Sequence, residues 1–107
     1  MISLEEAKEL YNKAINEEIE RVKKEDEEFI KMKLPAIMQK IEEMVRLAVQ
    51  RREKYIVIRN VEEELDGISD GRILGILITE LGKYEYSAGR LVYADGSIGI
   101  DIDGWAR

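Results

Sequence analysis

From Ser3 to Arg52 the chain runs fifty residues with one proline, Pro35, and no glycine. Those two residue types are the ones that interrupt helices. A stretch this long without them reads as helix once its apolar residues repeat at helical spacing. They do so twice. Ser3 precedes Leu4-Glu5-Glu6, the capping-box spacing of a helix start. Leu4, Ala7, Tyr11, Ala14, Ile15, Ile19 and Val22 then form a stripe, which thins across residues 21–28, where only Val22 is apolar. A stronger seam follows: Ile30, Leu34, Ile37, Ile41, Met44 and Ala48 alternate steps of four and three. This is a heptad pattern over nearly three repeats. Met38 and Val45 widen it, which suits packing against a domain or bundle better than a bare two-stranded coil.

Pro35 lies inside that seam. A proline within a helix removes one backbone hydrogen bond and bends the axis. A new helix starting at Pro35 would make Leu34 its N-cap, and leucine caps poorly. The pattern predicts one long helix bent near residues 31–35. Unbent, fifty residues would span roughly 75 Å. No module of the remaining 55 residues covers that length, so part of the helix is expected to meet other chains.

The second half changes character. Residues 54–59, "KYIVIR", are β-branched and aromatic and read as a strand. An acidic connection with two Asp-Gly steps follows. Residues 70–82 read as a second helix, with Ser69 or Asp70 as N-cap and Gly82 as the C′ glycine. "KYEY", residues 83–86, reads as a short strand. Asp95-Gly96 between two apolar runs is a hairpin signal favouring a type I′ turn. That turn pairs Leu91 with Ile100 and Arg90 with Asp101. It gathers Leu91, Tyr93, Ile98, Ile100 and Ile102 on one face and puts Asp101 and Asp103 on the other. The expected fold is α+β, a single domain over 1–107. A long helical segment (1–53) carries a small β-α-β-β module (54–107) with an antiparallel sheet.

Composition excludes several chemistries. The chain has no cysteine and no histidine. That removes disulfides, thiolate and imidazole metal sites, and histidine-based nucleophilic catalysis. Net charge is −6, and residues 55–107 carry ten acids against five bases. Neither half has the basic footprint of a nucleic-acid or anionic-membrane partner. The longest apolar run, "ILGILI" at 73–78, is far short of the roughly 20 residues of a membrane span. The acidic start "MISLEEAKEL" is not that of a signal peptide.

Residues 93–105, "YADGSIGIDIDGW", raise the question of calcium. Asp101, Asp103 and Gly104 match the third, fifth and sixth positions of a helix–loop–helix calcium loop. The first position would be Gly99, and the closing glutamate would fall at 110, so the match fails at both ends. Glu62, Glu63, Glu64 and Asp66 are enough carboxylates for acid–base work. They sit in a turn-rich connection, where a solvated acidic loop is the simpler reading; as a cluster they could meet a basic partner. Trp105 caps the end of the core or, if exposed, anchors an interface. The two glycines of "GRILG" suit close helix packing, and the bases of residues 46–54 complement a helix C-terminus. No catalytic residue, metal or cofactor is expected.

One resemblance spans nearly the whole chain. A charged helix ends in "IEEMVRLAVQRREKYIVIR", a helix ends in "LITELGKYEY", and a hairpin ends in "IGIDIDGW". In this order the chain resembles a loose group of small phage-encoded α+β proteins. The resemblance implies a virion or accessory role, in a virion or host cytoplasm, and no catalytic residues. The expected function is a non-enzymatic, homo-oligomeric structural or assembly protein. Its helices would associate through Ile30, Leu34, Ile37, Ile41, Met44 and Ala48, and its partners would be itself and other virion or host proteins. The alternative is a small inhibitor or binding module that captures a host protein or small ligand through Glu62–Glu64 or Trp105. An enzyme using carboxylates with a divalent metal ranks third.

Overall fold

The computed structural model describes residues 1–106 as an α+β fold. Helix α1 (Leu4–Met32) and helix α2 (Leu34–Gln50) are followed by strand β1 (Tyr55–Ile58), the single turn α3 (Val61–Glu64) and helix α4 (Gly71–Lys83). The hairpin strands β2 (Ser87–Val92) and β3 (Ile98–Asp103) close the chain. Ser3 caps α1 as its sequence predicts, its hydroxyl accepting from the Glu6 amide.

The expected single helix is divided at one residue. Lys33 ends α1 and begins α2 with φ −112° and ψ −40°. The hydrogen bonds continue on either side of it: the Lys33 amide donates to the Phe29 carbonyl (2.9 Å), and the Ile37 amide donates to the Lys33 carbonyl (3.1 Å). Pro35 has no amide hydrogen for the carbonyl four residues back, so the ladder lapses there. The longest dimension of the molecule, 68 Å, is close to the roughly 70 Å of the two helices laid end to end. The break therefore redirects the chain without folding it back.

The sheet is antiparallel in the order β1-β3-β2. Helix α2 lies by β1 and α4 by β2. Leu34, Ile37, Ile41, Val45 and Ala48 of α2 are buried, as are Ile73, Leu74, Leu77 and Leu81 of α4. Ile58, Ile100 and Ile102 of the sheet and Val61, Leu65 and Ile68 of the connection complete the core.

Four local expectations change. The hairpin loop has three residues, 94–96, because only Gly96 takes positive φ (86°) and a type I′ turn needs two such residues. The Gly96 amide donates to the Tyr93 carbonyl, and the Tyr93 amide to the Ser97 carbonyl. Asp95 favours this loop, its carboxylate accepting from both the amide and the hydroxyl of Ser97. The added residue slips the register by one, so Arg90 pairs with Ile100 and Leu91 with Gly99. A one-residue slip reverses faces: Arg90 moves to the helix side, where it donates to the Gly71 carbonyl (2.6 Å). Ile100 and Ile102 stay buried.

The end of α4 differs too. Gly82 lies inside the helix, and the left-handed C′ position falls to Glu85 (φ 68°), with the Tyr86 amide bonded to the Leu81 carbonyl. Residues 83–86 are therefore a helix end and turn, with no strand among them. Finally, α3 forms within the acidic connection, because Asn60 accepts from the Glu63 amide and Glu64 reaches back to the Asn60 amide.

Candidate functional site

Most of α1 lies outside the core. Phe29 is its one buried residue. Before it, Leu4 (72%), Tyr11 (67%), Ile15 (41%) and Ile19 (59%) remain exposed, with Ala7 and Val22 half-covered. At about 100° of rotation per residue, Leu4, Tyr11, Ile15, Val22 and Phe29 fall within about 40° of one another, with Ala7 and Ile19 to either side. The stripe is thus one face, covered by the chain's own module at Phe29 and open from Val22 to Leu4. Residues 4–22 form an arm roughly 28 Å long.

The root of the arm is held by charge as well as packing. Arg72 of α4 binds Glu25 (3.3 Å) and Asp26 of α1. Lys33 at the break pairs with Asp66 (2.9 Å), and Lys40 of α2 donates to the Glu64 carbonyl (2.5 Å). The Lys33 ammonium, as hydrogen-bond donor and as charge, holds the Asp66 carboxyl below the ordinary carboxylate value. Beside the root is an open concavity of about 850 Å³ between the last turns of α1 and the start of α4, lined by Glu25, Glu28, Phe29, Met32, Asp70 and Ile73.

The residues singled out from sequence are distributed differently from the expectation. Leu34, Ile37, Ile41 and Ala48 of the seam are buried in the chain's own core, and Met44 packs on it half-exposed. Leu34, Ile37 and Ile41 share one core cluster with residues of α4 and the sheet, and Ala48 is 3% exposed, so they offer no surface to a second chain. Ile30 alone of the seam is exposed (48%). Glu62, Glu63 and Glu64 are exposed on α3, with the Glu64 side chain engaged in the turn. Trp105 is half-buried: its indole N–H donates to the Glu53 carbonyl (2.9 Å) and its ring meets Tyr86 edge to face. It closes the core against the end of α2 and is not a free anchor. Among the described residues no group of three or more carboxylates is placed to hold a metal ion, and no helix is long and apolar enough to cross a membrane.

The arm was legible as a stripe but not as the exposed surface. Its signal was the thinning at residues 21–28, which marks where the module stops covering the helix. Comparison with protein-family models, with curated proteins and with solved structures finds no match for this chain.

Proposed function

We propose that the protein is a non-enzymatic assembly protein that self-associates through the α1 arm, with the compact module as a cap or docking surface at its root. One observation carries this reading. A regular helix of some five turns projects from the core with an apolar face that nothing in its own chain covers. Most helical stability in water comes from packing an amphipathic face rather than from propensity. An uncovered face of this length is therefore expected to be completed by another chain. A large aliphatic side chain buries about 60–120 Å² at 25 cal/mol per Å². Leu4, Tyr11, Ile15, Ile19 and Val22 on each of two copies bury roughly 600–1,200 Å² on that scale, at the lower bound for a specific interface. Assembly through a contact of this size is expected to depend on concentration. A phage particle, the setting that the resemblance implies, is where such a subunit would be used.

The test is the native mass of Ile15→Glu beside the wild type, by light scattering on a sizing column. The wild type is expected above the monomer mass at tens of micromolar. The variant is expected as a monomer whose module melts unchanged. A wild type that stays monomeric at high concentration defeats the reading.

A further inference from the structure

The geometry points to an antiparallel pair, in which the α1 arms of two copies of this chain cross at Lys13 and each arm fills the gap between the two modules. This inference rests on the self-association proposed above and adds the direction and register of the contact. Three observations lead to it.

The first is the spacing of the stripe. Apart from Ala14, which lies about 80° from the centre of the face, the stripe runs Leu4, Ala7, Tyr11, Ile15, Ile19 and Val22, separated by steps of three, four, four, four and three. That series reads the same in both directions about position 13. A two-fold contact between antiparallel helices brings residue i level with the residue an equal distance beyond the crossing point. Leu4 then lies level with the partner's Val22, Ala7 with the partner's Ile19, and Tyr11 with the partner's Ile15.

Second, the module blocks the parallel arrangement. Phe29 lies on the same face of α1 as the stripe and is buried, and Arg72 holds Glu25 and Asp26 at the same level. The stripe face is therefore occupied by this chain's own α4 from about residue 25 onward. A parallel partner in register would bring its residues 25–32 and its own module into that space. An antiparallel partner does not. The partner's Ser3 lies level with residue 23 and the partner's Met1 level with residue 25, so its chain ends where this module begins, and its module lies past the N-terminal end of this arm. The third observation is the area, on the order of 1,000 Å² for the pair, which is enough for a specific contact only if both arms overlap along their whole open length.

The absence of cysteine from the chain makes single-site labelling straightforward. Glu6→Cys, Lys13→Cys and Glu20→Cys each place one spin label on the outer, exposed side of the arm. Distances between copies are then read by pulsed electron resonance on the full chain at an assembling concentration. The antiparallel pair gives its shortest distance at position 13. It gives longer and matching distances at 6 and 20, which are offset along the axis by about 21 Å. Equal distances at all three positions mean a parallel pair: self-association stands and the antiparallel register is overturned. Any other order of distances overturns the register in the same way. No distance between copies, in a protein that light scattering finds monomeric, overturns both.

Discussion

The seam of α2 is the sharpest point of difference between a core and an interface, and Ile41 tests it. Its side chain is 2% exposed within one chain. Ile41→Ala removes three carbons, a transfer loss of about 2.4 kcal/mol at 0.8 kcal/mol each. The cavity left between α2, α4 and the sheet raises this toward 3–4 kcal/mol, within the 2–5 kcal/mol range for such truncations. A chain of 107 residues has a total stability of roughly 5–15 kcal/mol. The variant thus loses a quarter or more of it. The assay is urea unfolding followed by circular dichroism at two protein concentrations well apart. With a slope of about 2 kcal/mol per molar, the midpoint falls by about 1.5–2 M. Because the lost contacts lie within one chain, the difference between variant and wild type is the same at both concentrations. A loss below about 1 kcal/mol, or one that changes with concentration, would refute the intramolecular assignment of the seam.

Two glycines predict opposite outcomes for the same substitution. Gly82→Ala places its methyl in open space inside α4 and is expected to stabilise by about 0.5–1 kcal/mol. In Gly99→Ala the methyl would meet the Ile58 and Arg59 carbonyls at 2.6 and 2.7 Å, so a loss of about 1–3 kcal/mol is expected, both by thermal melting. Glu85→Gly relieves a left-handed residue at the C′ position of α4 and is expected to raise stability by about 0.5–1 kcal/mol in urea. Asp95 has a carboxyl held below its ordinary value of 3.8, first by the Ser97 hydroxyl and then by the Ser97 amide. A depressed folded value makes its contribution full above about pH 3.8 and lost as pH falls through the folded value. The stability difference between wild type and Asp95→Asn should therefore shrink as pH drops below 3.8, and a difference that grows there contradicts the sign.

The fold class was legible because its signals are local and agree with one another. A glycine-free helical half, β-branched strands and an Asp-Gly hairpin need no tertiary information. The hairpin register was not, because Asp95-Gly96 suits both a two-residue and a three-residue loop. The choice between them rests on the Asp95–Ser97 hydrogen bonds, since Ile100 and Ile102 are buried in either register. The candidate site was missed for a related reason. A wide heptad seam at Leu34–Ala48 has the same pattern whether it packs on its own module or on a second chain. Pattern strength alone favoured it over the weaker stripe at Leu4–Val22. What separates them is the position of the module, which covers the strong seam and leaves the weak stripe open. The short helix α3 escaped notice because four residues carry no periodicity. It exists through the Asn60 cap and the Glu64 side chain.

Completion of the open α1 face by another copy of the chain, as proposed above, is read from native mass across a dilution series of the intact protein. A mass well above 12.4 kDa at high concentration is expected to fall to 12.4 kDa on dilution, with Leu4, Tyr11, Ile15 and Ile19 controlling the transition. A mass of 12.4 kDa at every concentration would contradict it.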